Sequence, residues 1–313
     1  MTATIISLLV AFGGGIFGAA LGALSAFAFV GFLTLIGVAL TLGIAPDATS
    51  VAQGAASYFG GLPFGAFGPH VGGFASGVAA AAYAANKGYI DNGRDIITAG
   101  MGLNKPDVLL VGGIFGVFGY ALCCLVQLIP NFGPGLAWTD YPGICVFVSA
   151  VVARLIWGKA GLFGKAEEGR SFFDPSDAIK WLPFQSTKGQ IALIGAGVGL
   201  LGGWLGITYG GTGALLAFGF AAASLILLSL GLAVPVTHHI ALPAAIAGVA
   251  SGSMLWALIV GIICAFLGEL CARLFLVHGD THIDPPATAI AIMTFVLNGL
   301  TALGFWAAIP LPL

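Results

Sequence analysis

Apolar residues run almost unbroken between a few charged clusters. No Asp, Glu, Lys or Arg occurs in 1–46, 48–86, 108–139, 189–268 or 285–313. A stretch as long as 189–268 without a charge cannot form a water-facing surface. Lipid is therefore the solvent, and each segment must satisfy its own backbone hydrogen bonds as a helix. A transmembrane β-barrel would alternate apolar and polar positions over segments of about ten residues. These runs are continuous, so the pattern predicts an all-α polytopic membrane protein. At about 20 residues per crossing, roughly nine spans follow, near 5–22, 24–44, 69–86, 106–129, 142–158, 190–207, 212–234, 250–276 and 285–309. Two stretches fit no full crossing. One is 47–68, with Asp47, Thr49, Ser50, Gln53 and Pro63; the other is 235–249, with Pro235, Thr237, His238, His239 and Pro243. Both are expected to be short re-entrant or broken helices, which survive at membrane depth only when buried in protein or facing water.

The pattern also repeats. Glycines spaced by four (Gly14, Gly18, Gly22, then Gly199/Gly203 and Gly202/Gly206) precede a Gly-then-Pro ending at Pro46 and at Pro235. An Ala-Ser-Gly element follows at 75–77 and at 250–252. A polar loop comes next, and then a proline that opens the last apolar run, Pro106 and Pro285. Four features in the same order predict an internal duplication, frequent in transporters. The units are 1–130, a connector with one extra helix at 131–188, and 189–313.

Charge sets the expected orientation. The loop 87–105 carries Lys87, Arg94 and Lys105, and 159–188 carries Lys159, Lys165, Arg170, Lys180 and Lys188, so both are assigned to the cytoplasmic side. The loops 130–141 and 277–284 contain no Lys or Arg and are assigned to the outside of a cytoplasmic-type membrane. With 142–158 as an unpaired span, the halves come out antiparallel in a 4+1+4 plan. Within 159–188, Asp174 and Pro175 are expected to start a short amphipathic helix.

Overall, 59% of residues are hydrophobic and 7% charged, against about a quarter charged in a soluble domain. A net charge of −2 and the lack of a basic patch leave a nucleic-acid role without support. Residues 1–4 lack the positive region of a signal peptide, so a retained helix is expected from Ile5. The five cysteines lie in apolar runs without C-x-x-C spacing and read as small buried hydrophobes.

A few residues could carry chemistry. His70 follows Pro69, and His238 and His239 lie between two prolines. Histidines at corresponding places in two halves could meet near a pseudo-twofold axis and bind an anion or shuttle protons. Ser76 and Ser251, each among small residues, could line the same site. Together these five form the expected substrate site. Glu269, at i and i+4 with Arg273, is expected either to couple transport to an ion or to form a structural pair; Gln53 and Thr237 are weaker coupling candidates. His278, Asp280, His282 and Asp284 alternate, and in an extended chain would suit a divalent cation such as zinc. The competing reading is that Asp284 caps a helix and Asp280 shapes a turn.

No phosphate-binding G-x-x-x-x-G-K-[ST] loop, H-E-x-x-H or G-x-S-x-G occurs, so no enzymatic activity and no resident cofactor are expected. The expected function is a secondary transporter of a small polar or anionic solute, coupled to H⁺ or Na⁺, with its site at the repeat interface near the bilayer midplane. A channel on the same fold is one alternative; a non-transporting scaffold subunit is another. The expected partners are lipid, the solute or ion, and further copies of the chain through Gly-rich helix faces.

Overall fold

The structure, a computed structural model, describes residues 4–43 and 61–311. In order come α1 (Ile5–Leu21), α2 (Ala23–Gly43), α3 (Ala75–Asn86), α4 (Pro106–Val126), α5 (Tyr141–Trp157), α6 (Lys188–Ala223), α7 (Leu225–Ser229), α8 (His238–Ser251), α9 (Met254–Cys271), α10 (Pro285–Ala302) and α11 (Phe305–Ala308). Among the described residues, five helical stretches are long and apolar enough to cross a bilayer: Ala23–Gly43, Pro106–Val126, Lys188–Ser229, Met254–Leu276 and Pro285–Ala302. Three shorter apolar helices, α1, α5 and α8, accompany them. This is the makeup of an integral membrane protein.

Two glycines turn the chain where no other residue could. Gly22 (φ 83°) reverses α1 into α2. Gly210 (φ 60°, ψ −140°) interrupts α6, dividing it into an arm over 188–209, here α6a, and a return arm over 211–223, here α6b. Without a Cβ, glycine takes these angles at little steric cost.

The hairpins pack alike. In the first, α1 runs antiparallel to α4, and a Cβ at Gly15 would meet the Gly112 carbonyl and Gly116 Cα. In the second, α6a runs antiparallel to α9, and a Cβ at Gly195 would meet the Gly261 carbonyl and Ala265 Cβ. The partner helices share a sequence across these contacts, Val111-Gly112-Gly113-Ile114 and Val260-Gly261-Ile262-Ile263. Likewise α2 opens Ala23-Leu24-Ser25-Ala26-Phe27-Ala28-Phe29, and the return arm reads Ala214-Leu215-Leu216-Ala217-Phe218-Gly219-Phe220. The two helices cross each other antiparallel. Gly31 lies on Ala222 and Ala223, while Gly219 lies on Thr34 and Leu35. Small residues permit this approach, and dispersion across it holds the helices together. A second antiparallel pair is α5 with α10. Thr139 Oγ1 donates to the Ala291 carbonyl at 2.8 Å, Gly143 sits on the Ala287 carbonyl, and Arg154 Nε donates to Thr281 Oγ1 at 2.9 Å.

Loops gather at one end of the bundle. The chain at 277–284 packs on 87–105 through His282 N–H to the Gly93 carbonyl (3.2 Å) and Arg94 Nη1 to the Val277 carbonyl (2.8 Å). It packs on 158–187 through Lys165 N–H to the His278 carbonyl and Lys159 N–H to Asp280 Oδ2. Arg154, 1% exposed, ties the junction by donating also to the carbonyls of Leu162, Phe275 and Thr281.

Several sequence expectations are corrected. The loop 277–284 shares an end with 87–105 and 158–187, not the opposite end with 130–141; lack of its own cations misplaced it. The span expected at 250–276 starts slightly later, at Met254, because Gly252 (φ 65°) ends α8 and Ser253 caps α9; the apolar stretch then runs to Leu276. The span expected at 69–86 is helical only from Ala75, with turns over 65–74. The region from Asp174 to Trp181 forms turns instead of an amphipathic helix. Glu167 takes both the Ser176 N–H (2.7 Å) and its hydroxyl (2.6 Å), which fixes a loop conformation and holds the Glu167 carboxyl below its usual range. Most of 47–68, including Gln53, lies outside the described residues.

Candidate functional site: a cavity between the two halves

A cavity of about 150 Å³ lies where α2, α5, α6b, α8 and α10 converge. Its walls come from corresponding places in the two halves. From α5 and its cap come Asp140, Pro142, Gly143 and Val146; from α10 and its cap come Asp284, Pro286, Ala287 and Ile290. Leu24 and Phe27 of α2 face it, as do Leu215 and Phe218 of α6b. The chain folds this way locally because each helix start is specified alike. Asp140 Oδ1 accepts the Gly143 N–H at 2.6 Å, Asp284 Oδ2 accepts the Ala287 N–H at 2.7 Å, and proline occupies the first turn of both helices. Aspartate is a favoured N-cap, and proline suits a position whose N–H would be unpaired anyway.

The lining is aromatic with a few polar groups. Phe27 touches Phe74, Phe218 and His238, with centroids 5.7, 5.8 and 4.7 Å away. His282 Nε2 lies 3.1 Å from Asp284 Oδ1, and its ring meets Phe74 edge-on. His238 is 5% exposed, and its Nδ1 has no hydrogen-bond partner among the described residues.

The expected site residues separate. Of the five substrate candidates, only His238 lines the cavity. His239, next in sequence, turns away onto Gly268 of α9. His70 is buried against Gly68 and Gly119, outside the lining. Ser76 stands in the first turn of α3 and bonds the Val71 carbonyl at 2.6 Å; Ser251 ends α8 and bonds the Ala247 carbonyl at 2.6 Å. The two Ala-Ser-Gly elements therefore occupy opposite ends of their helices, and both hydroxyls serve the backbone. Thr237 precedes α8 without a side-chain cap bond. Glu269 pairs with Arg273 at 2.8 Å, as its structural reading expects.

The alternating His/Asp run makes no metal cluster, and none occurs among the described residues. His278 Nε2 lies 3.0 Å from the Phe172 carbonyl, Asp280 receives backbone N–H groups of 159–160, and only His282 and Asp284 face one another. Asp140, Phe27, Phe74 and Phe218 line the cavity without having been singled out in the sequence. Asp140 was legible: it stands two residues before Pro142, as Asp284 stands two before Pro286.

Fold and cavity together define an all-α integral membrane protein with an internal repeat. The chain belongs to a family of unknown function (DUF7973), whose model matches it twice, over residues 1–180 and 176–310. No curated protein and no solved structure matches the chain.

Proposed function

We propose that the protein is a secondary transporter whose substrate site is the cavity between the halves. One observation carries the reading: corresponding residues of two repeated units, Asp140 to Val146 and Asp284 to Ile290, face one cavity. The units are α1 to α5 and α6a to α10, five crossings each, with the segments before α3 and α8 as the broken crossings. Equivalent helices that meet, α2 with α6b and α5 with α10, run antiparallel, the geometry of an inverted repeat. The contacts Gly31–Ala222 and Gly143–Ala287 would lie on the pseudo-twofold axis, with the cavity between them. Rocking of one unit against the other about this site would give alternating access.

Orientation follows from the same plan. All ten Lys and Arg residues fall at the end bearing 87–105, 158–187 and 277–284, which we assign to the cytoplasm. Asp140, Asp284 and His282 are the groups through which H⁺ coupling would run; Glu269 is committed to Arg273.

The test is flux. Purified protein in liposomes, offered a panel of small amines, neutral polar solutes and carboxylates with and without pH and Na⁺ gradients, is expected to show saturable uptake of one class. An absence of flux for every class and gradient would sink the proposal. Flux that does not saturate would turn the reading to a channel.

A further inference from the structure

The cavity holds two carboxylates, two imidazoles and no permanent positive charge. None of its lining residues is Lys or Arg. Asp284 is occupied by its cap bond and by His282, and the only charge that could answer Asp140 is absent from the wall. Among the described residues Asp140 Oδ2 accepts no hydrogen bond. A half-buried carboxylate against an apolar wall, without a counter-charge, is costly, so such a site favours a cation or a proton. Independently, His238 presents an unpartnered ring nitrogen in the same wall at 5% exposure. The remaining wall is apolar and aromatic, with Phe27, Phe74 and Phe218 packed around one corner. Aromatic faces attract cations, and quaternary ammonium groups are bound in such cages.

We infer that the cavity takes a small organic cation, an ammonium group on a compact apolar body, held by Asp140 and Asp284 against the rings of Phe27, Phe74 and Phe218. This inference rests on the reading of the cavity as the substrate site. It narrows the expected polar or anionic solute: the N-termini of α5 and α10 are capped by their own aspartates, and those two carboxylates oppose an anion in the same space. A bare metal ion would need a shell of oxygen ligands that this apolar wall does not supply. A cavity of about 150 Å³ matches one known to admit benzene, so the body is a few carbons in size.

Calorimetric titration of the purified full chain in detergent tests it with tetramethylammonium, the similarly sized neutral neopentyl alcohol, the anion pivalate, and NaCl at equal ionic strength. Tetramethylammonium is expected to bind saturably and in preference to the other three. Asp140→Asn and Asp284→Asn remove charge but keep an effective helix cap. Each is expected to weaken tetramethylammonium about tenfold or more, while a thermal unfolding scan shows the fold retained. The inference fails if pivalate or neopentyl alcohol binds as well, if Na⁺ alone occupies the site, if tetramethylammonium does not bind, or if both Asn variants bind it unchanged. Binding without flux would overturn the transport reading and leave this one standing. Flux of a non-cationic solute would do the reverse.

Discussion

Arg154 shows how much one side chain can organise. Its guanidinium joins α5 to 158–162, to the end of α9 and to 281, and every partner is a neutral oxygen. Replacement by Met would leave several carbonyls unpaired, at about 1–3 kcal/mol for each that water cannot reach. Arg154→Met is expected to lower stability in detergent by about 3 kcal/mol, and Arg154→Lys to recover only part, because three donors on a point charge cannot reproduce a planar fork. A denaturation midpoint unchanged in both variants would contradict the role. The sequence offered no hint of it, since Arg154 reads as an ordinary basic residue at a helix end. His70 shows the converse. Its likeness to the second half's histidines is visible in the sequence, yet the settings differ: Gly119 lies on the His70 carbonyl, whereas Gly268 lies on the His239 ring. What a sequence cannot give is the direction of each ring, and only His238 turns inward.

At the scale of elements, helix pairs are set by where a Cβ is forbidden. At Gly119 a Cβ would stand 1.6 Å from the His70 carbonyl oxygen, backbone against backbone, whereas at Gly197 it would meet nothing within 4 Å. Gly119→Ala is therefore expected to abolish well-folded protein or lower its melting temperature sharply. Gly197→Ala should be neutral or gain up to about 1 kcal/mol from helix propensity. Equal behaviour of the two variants in size-exclusion profile and melting would refute this packing. Helix existence was legible nearly throughout, down to the reversals near Gly22 and Gly210, because apolar runs and glycines mark both. The breaks at 61–74 and 252–253 were less so, since a chain this apolar gives no polar signal where a helix stops. The repeat register suffered from the same cause. Ala-Ser-Gly is a common string in a chain with 50 glycines, while the longer match of Ala23–Phe29 with Ala214–Phe220 tracks the equivalent helices.

For the whole molecule, that register decides topology. Pairing α4 with α10 left α5 unmatched, while the lack of Lys and Arg within 277–284 sent that loop to the wrong end. Pairing α4 with α9, and α5 with α10, collects every Lys and Arg at one end. Single cysteines at Asp91, Lys165, Asn131 and Leu303, in a background with the five native cysteines replaced by Ala, separate the two plans. Asp91→Cys and Lys165→Cys are expected to label from one side, and Asn131→Cys and Leu303→Cys from the other. Labelling of Leu303→Cys together with Lys165→Cys would restore the earlier plan. On the proposed plan a unit of five crossings begins and ends on opposite sides, so two copies joined by one loop would be inverted by parity alone.

The two capping aspartates have a thermodynamic consequence. Each carboxylate holds the first turn of a helix with one oxygen while facing the cavity, so occupancy of the cavity and winding of that turn draw on the same group. Linkage makes the coupling reciprocal: whatever neutralises Asp140 or Asp284 alters the start of α5 or α10, and whatever loosens those starts alters affinity in the cavity. Substitutions in the first turns that never touch a ligand would then tune binding, and bound ligand would be readable as slowed hydrogen exchange at the amides of Gly143 and Ala287.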